Sequence, residues 1–150
     1  MMGDGLTDPA KMVERAEVHG GLGDTLFEVR HEWAAVALFY AAYHLVKASF
    51  VSDPIFDDRM RLQAIDHRLR PEDRFVTKHS YGGIGPRATR LGVDEIVTFL
   101  YPAINHDYTY LHVASCDVRY RGGLRAISLD SLHASHEAVK SAFQSGELLA

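Results

Sequence analysis

The sequence predicts an all-α fold, an up-and-down helical bundle of four to six helices forming a single domain over residues 1–150. The first observation behind this prediction is the run WAAVALFYAAYHLV at residues 33–46, which is apolar almost throughout and contains no glycine or proline. Alanine favours helix, and a helix that is apolar on every side must be buried on every side. The second observation is that no segment shows the sustained alternation of apolar and polar residues that is typical of strands.

The first helix is expected to begin after Thr7 or Asp8, either of which can cap it, with Pro9 at its favoured first position. This helix runs through KMVERAEVH and then meets glycines at positions 20, 21 and 23. Glycine weakens a helix but also lets another backbone approach closely. The glycines therefore predict either a break or a tight contact, with helix resuming over residues 24–30.

Prolines divide the middle of the chain. The central helix is expected to end near Ser52, because Pro54 disfavours helix in the residue before it. A short amphipathic helix follows, with Pro71 as its limit, and residues 71–92 indicate a long loop of a kind that is often functional or disordered. The apolar stripe predicted for the short helix is Met60, Leu62, Ile65 and Leu69.

Residues 93–120 carry apolar side chains at helical spacing and predict a second long helical region. Pro102 is expected to kink or divide this region, and the glycines at 122 and 123 are expected to end it. Ser128 is a suitable cap for a last helix, and Gly146 marks the end of that helix.

Composition restricts the class of protein. Hydrophobic content of 47% and charged content of 24% are ordinary for a globular chain, and the net charge of −4 argues against general affinity of the whole surface for nucleic acid. Cys116 is the single cysteine, so an internal disulfide framework is excluded. Because the N-terminus also lacks the order of a signal peptide, we expect a cytoplasmic protein. His44 and Lys47 inside the apolar run favour a buried helix over a membrane span.

Three segments resemble, in this order, uncharacterised bacterial and phage proteins of the HEPN superfamily: WAAVALFYAAYHLVKA, IDHRLR and YTYLHVASCDVRY. The family pattern is Tyr-Ala-Ala and then His on an aromatic-rich helix, a short His-Arg element, and Tyr, Leu, Ser and a terminal Arg-Tyr on a later helix. The resemblance covers roughly residues 30–121. The matching residues are Tyr40, Ala41, Ala42, His44, His67, Arg68, Tyr108, Leu111, Ser115, Arg119 and Tyr120.

The resemblance implies a helical bundle that is often a dimer. Many members of the superfamily are metal-independent ribonucleases that act as toxins or antiphage effectors. Their signature is Arg, a polar residue, a few further residues and then His, with two copies facing each other across the dimer. Arg74 and His79 have acceptable spacing, but Phe75 occupies the polar position and the segment falls in the predicted loop.

His44 and His67 are candidate catalytic residues, because a neutral imidazole can accept or donate a proton near neutral pH. His44 is either a base that faces a pocket between helices or a core histidine bonded to a tyrosine or a backbone carbonyl. Both interpretations remain open at the level of sequence.

Arg119 is the third candidate catalytic residue, and Arg68, Tyr120 and Arg121 are candidate ligand-binding residues. A guanidinium holds phosphate oxygens in a fork, and a tyrosine can stack on a base. The alternative is that the arginines near residue 120 only satisfy the end of a helix. Residues 59–90 carry a balance of +5, and residues 119–125 add three arginines and no acid, in a chain of net charge −4. Such segregation favours an anion site.

These basic residues are expected to converge. We predict that His67, Arg68, Arg119 and Tyr120 lie close together, with His44 beside them. In the alternative, nearby acids pair with the arginines and the set is purely structural. The acids in question are Asp66, Asp107 and Asp117.

His133 and His136 lie three residues apart, a spacing at which two histidines can share a metal ion. The sequence shows no clear third ligand for them. We therefore predict a solvated face there, no metal site and no cofactor.

Three functions are compatible with the sequence. The first is a HEPN-like protein that cleaves or binds RNA as a toxin or phage-defence component, in which Arg119 holds the scissile phosphate and His44 or His67 moves protons. The second is a non-catalytic regulatory module that binds a nucleotide or a partner protein as a homodimer. The third is a structural protein whose aromatic helix serves dimerisation. Convergence of the imidazoles and Arg119 in one cleft separates the first from the others.

Overall fold

A computed structural model describes residues 8–125 and 127–150 of the chain. Every regular element in these ranges is helical, which confirms the predicted all-α class. The six α-helices are α1 (Pro9–Glu28), α2 (Ala34–Ser52), α3 (Arg59–Ile65), α4 (Val93–Leu100), α5 (Pro102–Tyr120) and α6 (Leu129–Gln144). Two short 3-10 helices cover Pro54–Asp57 and Pro71–Phe75.

Helix α2 is the centre of the bundle. Fourteen of its nineteen residues are buried, and α1, α5 and α6 all pack against it. This is the one helix of the described residues that is long and apolar enough to cross a membrane, yet 78% of that stretch is buried inside the protein, as in an ordinary core helix. Trp33 was expected inside the buried run, but it precedes the helix and is 46% exposed.

Helix α1 passes through its glycines without a break, so the predicted tight contact is the alternative that holds. Asp8 caps the helix by accepting from the Ala10 amide at 3.0 Å, and Thr7 lies outside the described residues. Gly23 is buried against α2, and a Cβ atom placed there would lie 2.6 Å from Cδ2 of Leu38. The missing side chain lets α1 and α2 approach closely.

The short helix α3 buries less than its apolar pattern predicts. Leu62 and Leu69 are fully buried, whereas Met60 is 83% exposed and Ile65 is also exposed, so half of the predicted stripe was wrong. The helix has only seven residues and ends before Leu69. It is therefore too short to turn a full apolar face towards the core.

Residues 71–92 lack regular structure beyond the 3-10 helix, but polar groups of α2 hold the segment in place. The ammonium of Lys47 is buried and donates to the backbone carbonyls of Arg74 and Val76. The Tyr43 hydroxyl donates to the carbonyl of Thr77 at 3.1 Å. Desolvation by burial lowers the pKa of Lys47 to about 8.

A buried carboxylate closes the other end of the same segment. Glu95, in the first turn of α4, accepts from the amides of Tyr81 and Gly92 at 2.8 and 2.9 Å and from the Ser80 hydroxyl at 2.8 Å. The loop is thereby closed on itself where α4 begins. Its irregular backbone is held by side chains in place of a ladder of backbone hydrogen bonds.

Pro102 divides the second helical region into α4 and α5, one of the two outcomes that its position predicts. Tyr101 lies at the division, and its buried hydroxyl donates to Asp53 at 3.0 Å. The same carboxylate accepts from the amides of Ile55 and Ala150, so it joins the end of α2 to the described C-terminus. Burial and the neighbouring Asp53 raise the pKa of the Tyr101 phenol.

Replacing Phe39 with alanine tests the core position of α2. Phe39 is fully buried, and its ring packs on Tyr108 and His112. The substitution is expected to lower the free energy of unfolding by about 3–5 kcal/mol through lost burial and the cavity left behind. Phe75→Ala, at a position that is 53% exposed, is the control and should cost far less. Urea titration measures both, and a loss below about 1 kcal/mol for Phe39→Ala would show that the ring is not part of a packed core.

Candidate functional site

Arg119 lies in the last turn of α5, with its guanidinium between two tyrosine rings. Its Nη1 donates to the hydroxyls of Tyr40 and Tyr120 at 3.0 and 3.2 Å, and its Nε donates to Oγ of Ser115 at 3.1 Å. The guanidinium carbon lies 5.4 and 4.8 Å from the centres of the Tyr40 and Tyr120 rings. Nη2 has only the weak acceptor Sγ of Cys116, at 3.9 Å.

No carboxylate pairs with Arg119 among the residues that the structure describes. The other two candidate arginines differ in this respect. Arg121 pairs with Asp117 at 3.0 Å, and Arg68 pairs with Asp66 at 2.8 Å. Arg68 and Arg121 therefore follow the structural alternative, in which nearby acids pair with the arginines. Arg119 does not follow it, because no acid of the described residues balances its charge.

His44 reaches the same region through a second imidazole. Its ring stacks on His19 of α1 with centroids 5.2 Å apart, and His19 lies 6.0 Å from the ring of Tyr40. Burial, His19 and Arg15 lower the pKa of His44 to about 4, and burial and Arg15 lower that of His19. These shifts favour the neutral form of both rings. His44 makes no hydrogen bond to a described residue, so the picture of a satisfied core histidine does not describe it.

Two further histidines form the inner part of the site. His79, in the loop, lies 4.9 Å from the Tyr43 ring and 5.1 Å from the His112 ring. His112 on α5 contacts Asp94 at the start of α4, with 2.5 Å between Nδ1 and Oδ2. The amide of Asp94 donates in turn to the carbonyl of His79 at 2.8 Å. Burial chiefly lowers the pKa of His79, with contributions from His112 and Arg119.

Three buried polar atoms in or next to the His112–Asp94 pair have no hydrogen-bond partner in the described part of the chain: Nδ1 of His79, Oδ1 of Asp94 and the hydroxyl of Tyr108. Burial and the charge of Asp94 raise the pKa of the Tyr108 phenol well above its ordinary value. A buried polar group without a partner costs roughly 1–3 kcal/mol. Such groups are uncommon in a core that serves packing alone, and together with perturbed histidines they are typical of functional sites.

The sequence-predicted residues divide into two sets. Arg119 and Tyr120 contact each other, and Tyr40 connects them to His19 and so to His44. No hydrogen bond, ion pair or ring contact of the described residues joins His67 or Arg68 to that set.

His67 and Arg68 have surroundings of their own. The His67 side chain is 87% exposed and lies 3.9 Å from Asp66. Arg68 is held by the same carboxylate and donates to the carbonyls of Ile84, Gly85 and Ala88. Through these hydrogen bonds Arg68 holds the backbone of the loop in place.

Arg74 and His79, which have the spacing of the HEPN signature, face different partners. Arg74 donates to the carbonyl of Asp53 at 2.9 Å and to the carboxylate of Asp57 at 2.8 Å, so it closes the end of α2. His79 instead packs on Tyr43 and His112. No hydrogen bond joins the two side chains.

Sequence reasoning missed His19, His112 and Asp94. His112 and Asp94 are 18 residues apart on either side of the break at Pro102, so helical spacing gave no reason to pair them. His19 lies four residues after Arg15 on a helix with buried glycines. This position alone does not identify the residue of α2 that His19 contacts.

A separate cleft of about 450 Å³ lies between α1 and α6, with Leu45 of α2 in its lining. Its other lining residues include Gly20, Asp24, His136 and Lys140. None of the sequence-predicted site residues lines this cleft. The Arg119 site is thus defined by charge and aromatic contacts on a partly open surface.

Comparison of this chain with protein-family models, with curated proteins and with solved structures gives no match. The HEPN resemblance therefore stays a prediction.

The lowered pKa of His44 predicts a pH dependence of stability. The folded pKa of about 4 lies below the unfolded value of 6.5, so the unfolded chain binds the proton more readily and stability falls as the pH drops from 6.5 towards 4. His44→Gln is expected to lose less free energy of unfolding between pH 7 and pH 5 than the parent. His67→Gln is the matched control and should follow the parent. Urea titrations at both pH values give the comparison, and parallel losses in the parent and His44→Gln would contradict the assignment.

Proposed function

We propose that the protein binds RNA through Arg119 and the two tyrosines that hold its guanidinium. The observation that carries the proposal is the half-buried cation without a carboxylate partner, flanked by aromatic rings. A phosphate supplies the missing negative charge in charge-assisted hydrogen bonds, which are stronger than neutral ones. The two tyrosine hydroxyls accept from Arg119 and keep their own protons to donate to the same phosphate.

The ring of Tyr120 is suited to a nucleobase. It is 72% exposed and already has a guanidinium against one face. Single-stranded nucleic acid is commonly bound by a basic residue that contacts the backbone and an aromatic ring on which a base stacks. This combination supports RNA over an isolated inorganic anion.

Cleavage of the bound RNA is the more specific form of the proposal, and the HEPN resemblance supports it. The neutral imidazole of His44 has the form needed to take a proton from a ribose hydroxyl, and Arg119 would stabilise the charge that develops on the phosphate. A role as a cytoplasmic toxin or phage-defence component depends on this activity. The alternative is a regulatory module that binds RNA, a nucleotide or a partner protein and leaves it intact.

The Arg119→Gln variant tests the binding site. Loss of a hydrogen bond to a charged group costs about 1.5–3 kcal/mol, so affinity for a labelled single-stranded RNA should fall roughly tenfold to a hundredfold. Arg125→Gln removes the same charge from an exposed arginine of the same segment and should change the affinity little. Fluorescence anisotropy at fixed salt measures binding. Equal weakening in both variants would show that only the general charge matters.

Folding and cleavage are followed in the same samples. Because Arg119 bonds to Tyr40 and Ser115, thermal unfolding is recorded for each variant, and a loss of stability without a loss of binding removes Arg119 from the proposed site. Gel analysis of the RNA separates the two forms of the proposal. Shortened products that His44→Gln abolishes support a ribonuclease, and intact bound RNA supports the regulatory module.

We also propose that the protein is a homodimer, on the basis of the HEPN resemblance. Light scattering over a range of concentrations is expected to give twice the mass of the 16.7 kDa chain. A monomeric mass at micromolar and higher concentrations would reject the dimer and would leave the proposal for Arg119 standing.

A further inference from the structure

A second cluster of polar side chains lies between α1 and α6. His133 and Glu137 are one turn apart on α6, and Asp24 faces them from α1. Nε2 of His133 lies 3.2 Å from Oδ1 of Asp24 and 4.0 Å from Oε1 of Glu137. One ligand atom from each of the three residues lies within 4.8 Å of the other two.

The two separations from His133 are close to those of ligands that share one ion. Bonds from Zn²⁺ to imidazole nitrogen and carboxylate oxygen are about 2.0–2.2 Å long, which places neighbouring tetrahedral ligands roughly 3–4 Å apart. Movement of the two carboxylate side chains would bring all three atoms onto one centre. Water would complete the coordination, as in zinc sites with three protein ligands.

The charge of the cluster favours a cation. Asp24 and Glu137 have no lysine or arginine within ion-pair distance in the described part of the chain, and their shared partner is His133. Two carboxylates thus face one imidazole. A divalent ion would neutralise the two carboxylates, whereas no lysine or arginine of the described residues pairs with them.

The imidazole is fixed in direction. The ring of His133 stacks on Phe27 with centroids 4.3 Å apart and an interplanar angle of 18°. The stack limits rotation of the ring and keeps Nε2 pointed between the two carboxylates. Ligands that are held in place before binding lose less entropy when the ion arrives.

A buried histidine stands behind the cluster. His136 is only 3% exposed, and its Nδ1 has no hydrogen-bond partner among the described residues, although it lies 3.8 Å from Oε1 of Glu137. If Glu137 moved slightly towards a bound ion, and so towards Nδ1 of His136, its carboxylate would accept the hydrogen bond that this nitrogen lacks. Partners of this kind orient the carboxylates of metal sites.

We propose that Asp24, His133 and Glu137 form a site for a divalent transition-metal ion of the Zn²⁺ type. One imidazole among the ligands favours such an ion over Mg²⁺ and Ca²⁺, which prefer oxygen ligands alone. Asp24 also lines the cleft of about 450 Å³ between α1 and α6, so the ion lies at the edge of a space that can admit a small ligand. The site is separate from Arg119 and does not depend on RNA binding.

The predicted solvated face is wrong at His136, which is buried, and the proposed site differs from the prediction of no metal there. His133 lies next to Glu137 and Asp24, and Asp24 is 109 residues away in the chain. The third ligand that the sequence lacked therefore comes from another helix. His136 lies behind the ligands.

The test uses tag-free protein that has been treated with a chelator and dialysed. Titration with Zn²⁺ by calorimetry is expected to show one site per chain, and Co²⁺ is expected to give a visible absorption band as a spectroscopic substitute. His133→Gln and Asp24→Asn should each weaken Zn²⁺ binding at least tenfold. His106→Gln, at an exposed histidine that stacks on Tyr110, is the matched control and should bind as the parent does.

Thermal unfolding gives a second measurement, because an ion that binds only the folded chain raises the unfolding temperature. Zn²⁺ should raise it in the parent and in His106→Gln, and much less in the two ligand variants. Glu137→Gln provides a third ligand variant if either of the others fails to fold. No binding by the parent at a tenfold excess of Zn²⁺, equal binding by parent and folded ligand variants, or equal affinity for Ca²⁺ would each overturn the proposal.

Discussion

Burial of α2 on every side is the constraint on which the rest of the structure depends. A helix without a polar face must be enclosed, so α1, α5 and α6 surround it and the segment at residues 71–92 is drawn against it. Lys47 is the buried cation of this helix. Its ammonium bonds to carbonyls of the irregular segment, which satisfies polar groups on both sides of the contact. The same contacts therefore help to enclose α2 and to hold the loop.

The Arg119 site follows from the places where this enclosure is incomplete. Tyr40, Tyr43 and His44 are half-buried positions of α2, in a bundle whose central helix is otherwise almost closed. Tyr40 accepts from Arg119 at the end of α5, Tyr43 donates to the loop, and His44 stacks on His19 of α1. The packing that buries the apolar residues of α2 thus also brings polar groups from several elements together.

The two proposed sites carry unbalanced charges of opposite sign. Within residues 8–125 and 127–150, Arg119 is a cation without a carboxylate partner, whereas Asp24 and Glu137 are carboxylates without a lysine or arginine partner. Some other charges of the protein are paired within the chain, as Arg68 is with Asp66. An unbalanced charge held by neighbouring side chains is costly to retain, and a ligand of opposite charge relieves the cost.

The sequence by itself determined the helical class and the central place of α2, because periodicity and helix breakers are local properties of the chain. Its charge pattern made Arg119 a candidate site residue, and that role stays a prediction. It did not determine which side chains meet across helices. The contacts of Asp94 with His112 and of Asp24 with His133 join different elements, and no spacing rule connects them. Local pattern sets the face on which a residue lies, but only the packing of whole helices around α2 decides which residue it faces.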